Sequence, residues 1–471
     1  MKNRSILRTW LSVLILCAVS LVLTSCGKTF YFAGRPLPPS GLKNRVMIAV
    51  ENPAGAGALL IVDAFYDVRN SHDNLTPSFS ISTYSSSFPT TIQNLPEQQR
   101  GAVYSAGDGR LTLIDYTTEK GGTALAGLAG QSSGVLIAHN LGYAIAASQT
   151  AHVVSVYDNG RTFFLNVPGV YRVSINTSGT VAVAFTQNTN DMYSIVHLTV
   201  PQQTAAATSG DPQHAVINGQ TAQDCEPQSL PVYCAFKVQT APGISFDRPV
   251  KAIFSSDGAY AYVLDCGPEC GGTQSGITTI PITPGSLNSG TLGPAGLALV
   301  ATSTVAVPGG ASNALQNGNT LYVAGQSVNP DHLLSGNLSI VNTSAQPLQV
   351  TGPPIPIADG THNKMAFADD NTLWIGSVLC QQGERGASGS CLTMFNTSTN
   401  TVTLMPPYKG DATGLAPITG LHKIYTAEGG QIYIYNTTDG TQRDNTFVTV
   451  SDVASDIAYM DAPSDASNTT Y

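Results

Sequence analysis

The chain of 471 residues is poor in charge: Lys, Arg, Asp and Glu together make up 11%. Its 21 Lys and Arg stand against 30 Asp and Glu, a formal charge of −9, and no basic run occurs. A phosphate backbone is held chiefly by clustered cations, so nucleic acid is excluded as a partner. Lys and Glu are scarce, whereas Gly (46 copies), Ser, Thr and Asn abound. That composition argues against helices and suits strands and turns. No Asp-x-Asp-x-Asp-Gly calcium loop is present. The eight His residues stand apart, none two or four positions from another. Local metal motifs are thereby excluded, and no cofactor is expected.

What is there begins at the N-terminus. Lys2, Arg4 and Arg8 precede an uncharged stretch from Thr9 to Gly27. A positive start followed by an apolar run is an export signal. The run ends Leu23-Thr24-Ser25-Cys26, which resembles a bacterial lipobox. That resemblance implies a signal peptide over 1–25, cleavage before Cys26, lipidation of its sulfur and anchoring in the cell envelope. Gly27, not Asp, follows the cysteine and fits passage to the outer membrane. Removal of three cations would take the formal charge from −9 to −12. Residues 26–44 then form a lipidated, Pro-rich tether, which could reach roughly 50 Å from the anchor. With a bacterial export signal, the Asn-x-Ser/Thr triplets at Asn74, Asn176, Asn337, Asn342, Asn396, Asn436 and Asn468 are turn residues, not glycosylation sites.

From residue 45 a pattern recurs: a tight turn, an alternating strand, then a second strand ending near Asp, Asn or Tyr. The first strand is seen in "SGTVAVAF" (178–185), "DGAYAYVLD" (257–265) and "DNTLWIGS" (370–377). The second has eight copies, from "ALLIVDAF" (58–65) to "QIYIYNT" (431–437). Asn-Gly and Asp-Gly signal type I′ hairpins. Spacings run about 40 to 60 residues, and one longer gap holds a polar insert near 201–231. Such a period with short strands and no convincing helix predicts an all-β propeller of four-stranded antiparallel blades over 45–461. Eight blades are expected, or seven if the first copy is not a blade, with 462–471 as a tail. "DIAYMD" should close the ring by pairing with "RVMIAVE" (45–51).

"SSDGAYAYVLD" (255–265) is similar to the strand–turn–strand core of YVTN-type propeller repeats, and "GQIYIYN" (430–436) to their third strand. The likeness implies the fold. It says little of function, because such propellers include enzymes and binding proteins.

Catalytic motifs are weak. "GQSSG" (130–134) matches the nucleophile elbow around Ser132, but a strand pattern follows where a helix is required. "DNGRTF" (158–163) resembles part of an Asp box, which is a structural hairpin.

Apart from Cys17 of the signal and Cys26, six Cys remain, in three neighbouring pairs: Cys225 with Cys234, Cys266 with Cys270, Cys380 with Cys391. No His or further Cys completes a metal site around Cys266 and Cys270, and an exported chain meets oxidising conditions. Three local disulfides are expected. In a propeller, loops between second and third strands share one face, and three of these are long: 266–275, 327–336 and 380–391. They should form a raised wall whose candidate binding residues are Glu269, Asp331, His332, Glu384 and Arg385. The expected function is a lipid-anchored binding or scaffold module for an envelope protein, glycan or small molecule. A lactonase-like or oxidoreductase-like enzyme with its site at the channel mouth is the alternative. The anchor is tested by Cys26→Ala: the variant should lose lipid labelling and stay uncut or become soluble. A cut variant that still fractionates with membranes would contradict the lipobox assignment.

Overall fold

The computed structural model describes residues 37–52, 55, 57–67, 79–129, 131–132, 134–282, 299–443, 448, 450 and 452–464. The signal segment, Cys26, the first part of the tether, and the triplets at Asn74 and Asn468 lie outside these residues. Among the described residues no helix is long and apolar enough to cross a membrane.

Eight antiparallel blades follow one another around an axis. Blade 1 takes Val453–Tyr459 as its innermost strand, with Arg45–Glu51, Gly57–Asp63 and Phe79–Ser80 outward of it. The inner strands of blades 2 to 8 are Pro89–Leu95, Gly134–Ile137, Val170–Ile175, Pro249–Phe254, Asn313–Asn317, Thr361–Ala368 and Ala412–Ile418. Each of the eight repeated second-strand segments forms the third strand of one blade, so the first copy is a blade and the count is eight.

The alternation of apolar residues explains the stacking. Every blade has two greasy faces, and each is buried against a neighbour. Met47, Ala49 and Ile61 of blade 1 pack on Ile92, Val103 and Ile114 of blade 2. Trp374 of blade 7 packs on Leu415, Ile424 and Tyr435 of blade 8. Ring closure joins the two ends of the propeller: Ile457 pairs with Ile48, and Tyr459 with Val46. The Arg45 guanidinium fastens this seam. Its Nε and Nη2 donate to the Asp461 carboxylate at 3.0 and 2.6 Å, and Nη1 donates to Glu119 at 3.0 Å.

Two details differ from the sequence expectation. The insert contains a helix, Val200–Ala207, whose first turn is closed by Thr199 N–H and hydroxyl donating to Gln202 Oε1 at 2.9 Å. Its Pro, Gln and Thr content hid this helix, because a Pro in the first turn costs nothing there. The turns are also more varied than a uniform type I′ set. At Asp257-Gly258 only the glycine is left-handed, and the hairpin is closed by Ser255 N–H donating to Tyr260 O across four residues. Asn159-Gly160, within the Asp-box-like stretch, is a two-residue turn with both φ positive.

Arg45→Leu would leave Asp461 and Glu119 buried without their cation. We expect a loss of about 3–5 kcal/mol in urea unfolding. An unchanged midpoint would show that the seam does not depend on this guanidinium.

Candidate functional site

The wall spans blades 5, 6 and 7, but only blades 5 and 7 carry long loops; in blade 6 the strands stay paired out to Val328 and Leu334, so the segment expected as a loop over 327–336 is a hairpin with a loop of 329–333. The loop after Asp265 makes one 3-10 turn, Gly267–Cys270, closed by the Cys266–Cys270 disulfide. Gly267 has φ +59°, and a Cβ there would lie 2.3 Å from Ser275 N, so only glycine fits. The Asp247 carboxylate gathers the far side of this loop, accepting from Thr273 N and Gln274 N at 2.8 and 2.7 Å. Glu269 then reaches blade 6, where its carboxylate accepts from Gln326 N and Nε2 at 2.9 and 3.1 Å. Gln326 Oε1 in turn accepts from Gly360 N at 3.0 Å.

Blades 6 and 7 are joined by Asn329 Nδ2 donating to Glu384 at 3.1 Å and by Glu384 N donating to Leu334 O at 2.9 Å. The buried Asp359 carboxylate accepts from Gly336 N at 2.9 Å and Arg385 N at 2.8 Å, and it pairs with the Arg385 guanidinium. The Cys380–Cys391 disulfide closes the blade 7 loop, and Leu379 N donates to Asp411 of the next connector at 2.8 Å. The third disulfide, Cys225–Cys234, links directly paired strands at the outer edge of blade 4.

The five residues singled out from sequence therefore divide. Asp331, His332 and Glu384 are exposed on the wall. Glu269 and Arg385 turn inward: burial raises the Glu269 carboxyl, which Gln326 then holds, and Arg385 spends its charge on Asp359. The outward wall surface also carries apolar side chains, with Val328, Leu333 and Leu379 exposed by 40, 41 and 52%.

A second feature lies at the channel mouth beside the wall. In six inner strands the ladder slips by one residue near the start: Pro89/Thr91, Val170/Arg172, Pro249/Lys251, His362/Lys364, Ala412/Gly414 and, in blade 1, Ala454/Asp456. A bulge re-aims the side chain that follows it. The residue so placed is Arg172 in blade 4, Lys251 in blade 5 and Lys364 in blade 7. Lys251 pairs with Leu264 and Lys364 with Gly376, just below the loops of the wall. Lys251 Nζ donates to Asn313 Oδ1 of blade 6 at 2.7 Å, and Lys364 Nζ to Asp456 Oδ2 of blade 1 at 3.0 Å. Burial pushes the Lys251 ammonium down to about 7, and the charges of Arg172 and Lys364 add to the push. Burial raises the Asp456 carboxyl, and Lys364 opposes that shift.

None of these cations was singled out from the sequence. Their signal is a single Lys or Arg in each of the inner strands "VYRVSI", "PVKAIF" and "THNKMAFA". The catalytic motifs build nothing. Ser132 lies in the connector to blade 3, and Gly134 after it opens a strand. Among the described residues, the group compact enough to hold a metal is Cys380, Cys391 and Asp411, and its two sulfurs are bonded to each other.

The architecture defines an eight-bladed β-propeller. No family model and no curated protein matches the chain. Among solved structures it is similar to dihydro-heme d1 dehydrogenase NirN in complex with DHE, with a TM-score of 0.53 and 12% identity. That match covers 90% of this chain and 78% of the other. A putative 6-phosphogluconolactonase from Bacteroides uniformis ATCC 8492 aligns at 13% identity and TM-score 0.45, covering 88% of this chain and 99% of its own. Apo AztD from Citrobacter koseri aligns at 9% and 0.45, covering 88% and 97%. At 12% identity the likeness to the first of these speaks to the fold alone.

With the sulfurs paired, thiol titration of the folded, non-reduced soluble domain should find almost no free thiol. Replacing Cys380 and Cys391 together by Ala should cost about 2–3 kcal/mol on the chain-entropy model while leaving the propeller folded. Titratable thiols at these positions in native protein would refute the pairing.

Proposed function

We propose that the protein is a lipid-anchored, extracytoplasmic binding or scaffold module of the bacterial cell envelope, and that the wall of blades 5 to 7 is its contact surface. The observation that carries this reading is the unbroken series of bonds from Glu269 through Gln326 to Gly360 and from Asn329 through Glu384 to Leu334. It holds the loops of blades 5 and 7 and the hairpin of blade 6 as one preorganised surface, and a surface that is already ordered loses little entropy on binding. Exposed Leu333 and Leu379 among polar Asp331, His332 and Glu384 have the mixed character of a contact patch. Three disulfides suit an oxidising compartment, and the lipobox supplies the anchor.

The alternative, an enzyme at the channel mouth, would rest on Lys251, whose amine is poised near neutrality. Binding is favoured because the ionisable groups there are engaged within the fold: Lys364 pairs with Asp456, and His362, two residues before it, is buried with Nε2 bonded to Ala358 O.

Leu333→Asp combined with Leu379→Asp should abolish cross-linked capture of the envelope partner by the anchored protein. Val216→Asp, an exposed position on the insert, should leave capture intact. Equal capture by both variants would remove the wall from the interface.

A further inference from the structure

We propose that the face of the propeller opposite the wall rests on the lipid bilayer, with Leu37, Phe65 and Tyr66 set into its headgroup layer. This rests on the anchored reading above and adds an orientation to it: the wall is presented away from the membrane that holds the protein.

Topology places these residues. In blades 5 to 7 the second strand ends at the wall, at Asp265, Val328 and Val378. The second strand of blade 1 begins at Arg45, and the third ends at Asp63, paired with Arg45. Arg45 and Asp63 therefore lie at the other end of the axis. The chain arriving from Cys26 is fastened at that same end. Ser40 N and Oγ donate to the Glu119 carboxylate at 2.8 and 2.6 Å, and Glu119 stands in the turn between the third and fourth strands of blade 2. Ala64 N donates to Asn44 O at 2.7 Å, which lays the turn after Asp63 against the arriving segment. Leu37 stands 11 positions after Cys26, at most about 40 Å of extended chain. A leash so short, leaving from this end, holds this face nearest the bilayer.

The surface so presented suits a headgroup layer. Leu37, Phe65 and Tyr66 are each more than half exposed, and the two rings meet edge to face with centroids 4.9 Å apart. The aromatic turn is held firmly. Phe65 N donates to Asp63 Oδ1 at 2.8 Å, and Asp67, which follows Tyr66, is buried, accepting from Tyr425 Oη at 2.6 Å and pairing with Lys423. An ordered turn loses little entropy on insertion, and rings with an apolar body and a polar edge gather at membrane interfaces. Charge around the turn is mixed. Lys43, Lys120 and Glu97 are exposed, whereas Arg45, Glu119, Asp67 and Lys423 are paired within the fold. Contact therefore comes from the apolar side chains, and a bilayer of zwitterionic lipid suffices. A second copy is a poorer occupant, because three side chains fall far short of the roughly 800 Å² per partner that a stable dimer buries.

Fluorescence on vesicles tests the orientation. The chain from residue 26, carrying Cys26→Ala and an N-terminal polyhistidine tag, is held on phosphatidylcholine vesicles doped with a nickel-chelating lipid. The anchor is thereby supplied at its natural point whatever the fate of Cys26. Trp374, buried between blades 7 and 8, is then the only native tryptophan, and Tyr66→Trp or Leu379→Trp adds a reporter on one face or the other. Tyr66→Trp emission should shift to the blue and be quenched by brominated phosphatidylcholine, in low and high salt alike. Leu379→Trp should show neither effect. Adding Phe65→Ser to Tyr66→Trp should cut the quenching about twofold or more. No quenching at Tyr66→Trp, equal quenching on both faces, or quenching abolished by salt overturns the proposal. A dimer of the untethered protein that Phe65→Ser dissociates would give this face to a second copy and overturn it equally. Loss of the natural anchor is read separately, from lipid labelling at Cys26, so the two failures are distinguishable.

Discussion

Everything in this molecule depends on the pairing of Val453–Tyr459 with Arg45–Glu51. A blade has two apolar faces and cannot bury either by itself, so the ring is stable only if the last blade meets the first. The contact joins segments about 400 residues apart, and its entropic cost is offset by making it a strand pairing instead of a loose face contact. Ion pairs flank the seam. Arg45 ties blade 1 to Glu119 of blade 2 and to Asp461 beyond the closing strand. Near the other side, Asp67 receives both Lys423 Nζ and Tyr425 Oη of blade 8. The closing blade thus has polar fasteners to both neighbours.

Closure leaves one problem, the open edge of each inner strand along the channel. An unpaired edge exposes amides that must find partners. Here the preceding blade supplies them. Asp456 accepts from Ile92 N, Gln93 both accepts from Ile137 N and donates to Ile137 O, and Ser174 accepts from Ala252 N. Bulges near the starts of the inner strands also place Arg172, Lys251 and Lys364 there.

The fold was legible because its signals are local. Eight third strands repeat at a steady interval, turn residues mark their ends, and Cys pairs sit within a dozen positions of each other. The closing strand was legible as an unpartnered strand after the last repeat. What escaped depends on distant partners. Glu269 could not be recognised as inward-facing, because Gln326 lies 57 residues on. Arg385 looks like a surface cation until Asp359, 26 residues before it, is brought beneath it. The channel cations are invisible for a related reason. Alternation alone would place Lys251 anywhere on a half-buried strand, and only the bulge after Pro249 decides its direction. The insert helix escaped because its cap, not its composition, defines it.

A repeat fold has no built-in reason to prefer one sector. Eight equivalent positions ring the channel, and eight equivalent loops ring the upper face. In this chain the long, stapled loops occupy blades 5 and 7 with the hairpin of blade 6 between them, and the cations occupy blades 4, 5 and 7. A protein serving only as an envelope spacer would gain nothing from this concentration, since stability is spread over every blade-to-blade contact. Desolvating Lys251 beside Arg172 and Lys364 works against folding, as the depressed ammonium records. Groups kept at such a cost are more often functional than structural. Loop wall and cationic mouth also share one end of the axis, because an inner strand starts where the second strand finishes. Arg172 lies within electrostatic reach of Glu269, whose carboxylate anchors the wall through Gln326. Charge at the mouth and order in the wall are thereby placed within reach of one another through a single side chain.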